Sequence, residues 1–265
     1  MKLVDLTRCS WGTTHNGGTS YGCYYKTSLV ENGKKYYYKC SNFYVGQGYF
    51  GDESINEVIC SRFLSKLGFN CLKYTLVYAR VKINGREYNT YVCKSENFFK
   101  EYDSRVTLEN LHSMFNCSVD QLITSIGIWS DIKKMLIADF LTLQRDRHGG
   151  NIELLNKGKK YELSSLFDNG LGLLAPYPSA SGVDISGFDV LADYPVNNYI
   201  GTRSLYQNLK YIDAPVRVNK LCKTDKKAIF YGLNGILPKE YIDVIWKLLV
   251  YRYAYLRQKG FIIDD

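Results

Sequence analysis

The sequence predicts an α+β protein of two lobes, a β-rich N-terminal lobe over residues 1–94 and a mainly helical C-terminal lobe over residues 95–265. Two observations predict it. In the first third, strand-like runs rich in tyrosine and valine are divided by turn signals, Glu31-Asn32-Gly33-Lys34 and Asn84-Gly85. Asn-Gly between two such runs is a strong hairpin signal, because both residues tolerate the positive φ that a tight hairpin turn needs. From Ser104 onward the pattern turns helical, and it ends in a run from Pro238 to Gly260 whose apolar surface comes from Tyr241, Ile242, Val244, Ile245, Leu248, Leu249, Tyr251, Tyr255 and Leu256.

Taken in order, Asn16-Gly17-Gly18-Thr19-Ser20-Tyr21-Gly22 is a glycine-rich loop that opens a hairpin. Backbone N–H groups of such a loop can cover phosphates. Tyr25–Val30 and Tyr36–Cys40 are the two strands of that hairpin. Lys39 lies inside the second, between Tyr38 and Cys40, where a lysine must either reach solvent or find an anion. A helix follows with Ser54 as its N-cap and Glu57 at the capping-box spacing. Ile55, Val58, Ile59, Phe63 and Leu67 form its stripe, and Gly68 ends it. Glu57 has two open readings, capping glutamate or ion-pair partner of Lys39.

Lys73–Ile83 and Arg86–Cys93 read as the next two strands, and Val92-Cys93-Lys94 then leads into the polar Ser95-Glu96-Asn97. This is the expected change of lobe, with backbone groups at Val92 to Lys94 free to read an adenine edge. Ser118 and Gln121 make a second capping box, and a largely buried helix from Asp131 to Leu143 delivers the chain into Arg145–Asn151. Ile152–Leu155 and Tyr161–Leu163 form a short hairpin that places Asn151 and Asp168 at its two open ends. Gly170–Tyr211 is irregular.

Charge and composition narrow the function. Net charge is +8, which suits an anionic partner such as a nucleotide, but the basic residues form no long run and show no zinc-finger spacing. Nucleic-acid binding is therefore not the expected main task. The eight cysteines include no C-x-x-C pair, so they read as free thiols in a reducing cytoplasm and not as a zinc site or disulfide frame. The first residues are too short and too charged for a signal peptide, and no apolar run approaches membrane-spanning length, so no membrane partner is expected.

Chemistry concentrates in Asp146-Arg147-His148-Gly149-Gly150-Asn151 and Phe167-Asp168-Asn169-Gly170. Singly, Asp146, Asn151 and Asp168 are each good turn residues. Together they supply a carboxylate that can orient or deprotonate a hydroxyl and two oxygen donors for a hard cation, the needs of a magnesium–nucleotide site. A D-x-x-x-x-N pair after a buried helix, then a hairpin and an apolar residue before D-x-G, follows the spacing of protein-kinase catalytic and metal loops. It departs from the common form in reading Asp-Arg-His where that form has His-Arg-Asp, and in the Asn between Asp168 and Gly170.

In that order the residues resemble the HipA-like serine/threonine kinases, especially their short CtkA-type members, over roughly residues 17 to 175. The resemblance implies a two-lobed protein-kinase-like fold, with ATP and Mg2+ as cofactors and a serine or threonine hydroxyl on a protein as acceptor. It implies Asp146 as catalytic base or hydroxyl-orienting residue, Lys39 on the ATP phosphates with Glu57 pairing it, and Asn151 and Asp168 on magnesium. Gly17, Gly18 and Gly22 would cover the phosphates, Val92, Cys93 and Lys94 would meet adenine, and His148 would support the phosphate or metal. Autophosphorylation at Thr19 or Ser20 and an antitoxin-like partner are further implications. Two other readings stay open at this point: a kinase for a lipid or other small molecule, and a non-catalytic, toxin-like module that binds a nucleotide.

Overall fold

The computed structural model describes residues 1–14, 21–97, 104–156, 158 and 160–265. The strands of the first third are β1 (Val4–Leu6), β2 (Gly12–Thr14), β3 (Tyr21–Glu31), β4 (Lys34–Cys40) and a small hairpin, β5 (Phe43–Tyr44) and β6 (Tyr49–Phe50). Helix α1 (Glu53–Lys66) follows, then β7 (Tyr74–Ile83) and β8 (Arg86–Glu96). Among the described residues, β1-β7-β8-β4-β3-β2 form one six-stranded sheet, antiparallel except for the parallel β1–β7 pair. Both Asn-Gly turns have the expected geometry, with φ of 50° and 77° at Asn32-Gly33 and 50° and 79° at Asn84-Gly85.

One face of this sheet buries Leu6, Tyr38, Cys40, Ala79, Val81, Ile83 and Val92 in a core of its own. The other face carries Lys39 and Cys93 and packs on α1, which contacts both β7 and β8. Helix α1 is buried on most of its surface, polar residues included: Ser54, Asn56 and Glu57 are all at or near zero exposure. The expectation that Ser54 caps this helix is corrected here. The helix begins at Glu53, and neither Asp52 nor Ser54 caps it with a side chain. Ser54 is inside the first turn, its N–H donating to Ser41 Oγ at 2.9 Å and its hydroxyl to the Lys39 carbonyl at 2.9 Å. Tertiary partners from the end of β4 satisfy the groups that a local box would have satisfied.

The rest of the chain comprises β9 (Ser104–Thr107), α2 (Leu108–Ser113), α3 (Val119–Ile126), α4 (Trp129–Thr142), β10 (Asp146–Arg147), β11 (Glu153–Asn156) and β12 (Tyr161–Leu163). After these come β13 (Asn197–Asn198), α5 (Leu205–Asn208), β14 (Val216–Val218), α6 (Asp225–Ile229), α7 (Lys239–Gln258) and β15 (Ile262–Asp264). The Ser118–Gln121 capping box is present in full, and α3 ends at Gly127 in the left-handed conformation. Residues 104–107 correct the helical expectation. They form a strand against β11, so the β11–β12 hairpin is part of a three-stranded sheet. Helix α4 runs through the centre of the larger core, which joins α1, α4 and α7. It ends in Leu143 with φ of 50°, and the chain turns from there into the 144–151 loop. Among the described residues no helix is long and apolar enough to cross a membrane.

Candidate active site

Lys39 projects from β4 one residue before its end, flanked in register by Lys26 on β3 and Cys93 on β8. Its ammonium lies 2.9 Å from Glu57 Oε1 and also contacts the Asp168 carboxylate, so one buried cation joins the sheet, helix α1 and the 167–170 loop. Glu57 is fully buried, and its second oxygen accepts the Asn169 backbone N–H at 2.8 Å. The two readings of Glu57 are thereby separated. It caps nothing, and both its oxygens are used by groups distant in sequence.

The charges hold one another in place. Burial alone would raise the Asp168 carboxyl, but Lys39, Lys26 and Arg147 hold it well below the usual carboxylate range. Burial alone would lower the Lys39 ammonium, and Asp168 with Glu57 more than reverse this. Burial raises the Glu57 carboxyl, and the pull of Lys39 does not fully undo it. Asp168 also has a positive φ of 57°. Aspartate tolerates this conformation better than most residues, yet it costs about 1 kcal/mol or more, and such outliers gather at functional sites.

Asp146 opens the second half of the site. Its Oδ1 accepts from Asn197 Nδ2 at 2.7 Å, and His148 Nε2 stands 3.9 Å from its Oδ2. His148 Nδ1 accepts from the Gly150 N–H at 3.1 Å, which orients the ring. Asn151 is buried, and its amide nitrogen donates to the Asp146 carbonyl at 3.1 Å. That bond leaves the amide oxygen of Asn151 as the group a cation could take.

The residue that binds the two loops together is Arg147, which is 1% exposed. Its guanidinium grips Asp139 of α4 with a shortest contact of 2.8 Å. It also donates to the carbonyls of Asn151 at 3.3 Å and Phe167 at 2.8 Å, and to Asn169 Oδ1 at 2.8 Å. Gln144 adds a bond from Nε2 to the Asp168 carbonyl at 2.8 Å, and its own amide oxygen accepts the Arg145 N–H at 2.9 Å. The catalytic-loop and metal-loop candidates thus share one set of buried hydrogen bonds.

Several expected residues stand elsewhere. The backbone at Val92, Cys93 and Lys94 is not free to read a nucleotide edge, because β8 is a central strand paired with β4 and β7 at all three positions. The strand runs on to Glu96, three residues past its expected end at Cys93. Lys94 points to the opposite face, where it pairs with Glu31 and lies 4.0 Å from the Tyr36 ring centroid. The Cys93 thiol is buried beside Lys39, and burial pushes it up to about 12. Gly22 is the second residue of β3 and not part of a loop. Gly17, Gly18, Thr19 and Ser20 lie outside the described residues.

Sequence reasoning passed over Lys26, Asp139, Gln144, Asn169 and Asn197. Asp139 carried a usable signal, since a lone carboxylate within the apolar run Met135–Leu141 needs a buried partner. Asn197 carried none, because it lies in irregular sequence 51 residues from the aspartate it touches.

A hard cation fits this donor set. Asp168 and Asn151 offer oxygen ligands of the kind magnesium takes, and the Lys39 ammonium already stands as a positive group against Asp168. Compared with solved structures, the chain superposes on the Helicobacter pylori proinflammatory kinase CtkA with a TM-score of 0.64, covering 98% of this chain and 97% of that one at 14% sequence identity. The chain has the fold of that kinase. The two-lobed α+β architecture expected from the sequence is the CtkA architecture. HipA of Shewanella oneidensis MR-1, solved with HipB and operator DNA, aligns more loosely, with a TM-score of 0.44 and 15% identity over 91% of this chain and 56% of that one. No protein-family model matches the sequence, and no curated protein matches it.

Proposed function

We propose that this chain is an ATP-dependent phosphotransferase, a HipA-like kinase that acts on serine or threonine hydroxyls of protein, its own included. The observation that carries the reading is the Lys39–Glu57–Asp168 cluster, set against Asp146 and Asn151 in a chain with the fold of a kinase. In this reading the lobes are residues 1–94 and 95–265, and the site lies where they meet.

Each residue then has a physical task. Lys39, held by Glu57, presents its ammonium to the phosphates. Asn151 and Asp168 hold magnesium, which neutralises phosphate charge when bound. His148 supports that region, and Asp146 orients the acceptor hydroxyl and takes its proton as oxygen attacks the terminal phosphorus and the bond to the leaving phosphate breaks. Fixed charges and fixed geometry supply the acceleration, with no covalent intermediate on the protein.

The test is self-labelling from γ-labelled ATP with magnesium, followed by acid hydrolysis and mass spectrometry. Wild-type chain is expected to gain phosphoserine or phosphothreonine. Asp146→Ala and Asp168→Ala should each lower the rate by about 10²–10⁴ while the circular dichroism spectrum is unchanged. Near-full labelling in either variant defeats the assignment. ATP binding with no transfer to any protein acceptor defeats the kinase reading.

A further inference from the structure

We propose that Asn197 is a positioning residue for phosphotransfer, fixing one oxygen of the Asp146 carboxylate so that the other is presented to the acceptor hydroxyl. The inference deepens the proposed function and rests on Asp146 acting as stated there.

A carboxylate on a two-residue strand can rotate about its side-chain torsions, and a base aimed by chance is a poor catalyst. Here the Asn197 amide donates to Oδ1 at 2.7 Å, an interaction only the NH2 end of the amide can make with an ionised acid. Oδ2 is left on the side of His148, 3.9 Å away. The backbone that carries this amide is itself held. Strand β13 runs parallel to β10, with Asn197 opposite Asp146. The Asn197 N–H donates to the Arg145 carbonyl at 2.7 Å and the Tyr199 N–H to the Arg147 carbonyl at 2.9 Å, so the backbone on each side of Asp146 is tied to the same segment.

That segment is anchored in turn. Val196 is buried, and its N–H donates to the Arg203 carbonyl at 2.9 Å. Tyr199 hydrogen-bonds through its hydroxyl to His112 Nδ1 at 2.8 Å, and the other nitrogen of that imidazole meets the Cys117 carbonyl at 2.7 Å. The Tyr199 ring also lies against Gly149, where a Cβ would come within 2.9 Å of it. From α2 through His112 and Tyr199 to Asn197, supporting contacts run to the proposed base. Such contacts are what hold a reactive side chain in its productive geometry.

The irregular 170–211 stretch thus has an assigned purpose at one point. Asn197 itself is exposed, on the side from which an acceptor would approach.

The decisive comparison is Asn197→Asp with Asn197→Ala. Aspartate keeps the shape of asparagine and the β10–β13 pairing but turns the donor into a second carboxylate facing Asp146. If Asn197 only packs, the aspartate variant behaves as wild type and the alanine variant is the worse of the two. If it orients, the order reverses. We expect the saturating rate of self-labelling from γ-labelled ATP to fall about tenfold in the alanine variant and about a hundredfold in the aspartate variant. The ATP concentration for half-maximal rate and the affinity for a fluorescent ATP analogue should stay within about twofold. An aspartate variant that keeps more than half the wild-type saturating rate overturns the proposal, and so does a loss confined to nucleotide affinity. A wild-type chain that binds ATP and transfers no phosphate overturns the phosphotransfer reading itself, and the role of Asn197 with it.

Discussion

The two halves of the site are held in different ways. On the sheet side, Lys39 is held by its charged hydrogen bonds to Glu57 and Asp168, with the Tyr24 ring centroid 4.9 Å from its ammonium. On the loop side, Arg147 makes a buried pair with Asp139 and further bonds to Asn151, Phe167 and Asn169, four partners with fixed directions. In the kinase reading a phosphate would compete for the Lys39 ammonium but would have no access to the fully buried Arg147. In that reading the loop half would be built before any ligand arrives, and the sheet half would complete its arrangement with the ligand. A kinase reading needs both, a rigid base and metal loop on one side and an exchangeable cation on the other.

Arg147→Met tests the rigid half and should have the largest effect. It leaves the Asp139 carboxylate buried without its partner and strips the donor from two backbone carbonyls at once. Losing one partner of a buried pair costs about 3–5 kcal/mol, and this change should sit at the top of that range, read as a lowered midpoint in urea unfolding. Midpoints equal to wild type would mean that the loops are held by something else.

Lys39→Met tests the exchangeable half. It removes the cation between two carboxylates, but Glu57 can then take a proton, which its raised pKa already favours. The cost should be smaller, about 2–3 kcal/mol, while ATP-dependent labelling is lost. If Lys39→Met destabilised the protein as much as Arg147→Met, the contrast between the halves would be wrong.

What the sequence disclosed follows the same division. The hairpins were legible because an Asn-Gly turn carries its own φ requirement, and α3 because its capping box closes within four residues. Glu57 was ambiguous for a physical reason. The S-x-x-E spacing that makes a cap also sets a glutamate one turn into a helix, where it can face Lys39, and only tertiary packing decides between them. The three-letter run Asp-Arg-His drew attention to its ends, while the arginine between them is the residue that joins the loops. Strand β9 was missed because its four residues gain their structure from β11, 46 to 52 residues on. That the backbone at Val92–Lys94 is paired on both sides was not legible, because a strand's place in its sheet, edge or centre, is not written in the strand itself.

Acid titration sharpens the contrast further. The Asp168 carboxyl is depressed in the folded chain, so it contributes stability that is complete above its unfolded value of about 3.9 and is lost as pH falls from there toward the folded value. Asp168→Asn should therefore lower stability at neutral pH and flatten the loss of stability below about pH 4. Glu57 works in the opposite sense, since a raised carboxyl in the folded chain favours the protonated form and lessens the loss on acidification. Urea midpoints measured across this range for wild type and Asp168→Asn should converge as the pH drops. Parallel curves would show that Asp168 is not held by the lysines.

The smallest effect is expected at Lys26. It stands directly opposite Lys39 on β3 and so faces the same side of the sheet. Burial lowers its ammonium, and Asp168 is the first of the charges that pull it back. With Lys39 it sets two lysines near the two carboxylates Glu57 and Asp168. Lys26→Met removes a cation that is only half-buried, and such a charge contributes up to about 1 kcal/mol, or about fivefold in affinity. ATP should bind about two- to fivefold more weakly to the variant in a fluorescent-analogue titration, and adenosine, which has no phosphate, should bind equally well to both. A drop in affinity that matched Lys39→Met would make Lys26 an equal partner in the exchangeable half, and the grip on that side would then be shared between two strands.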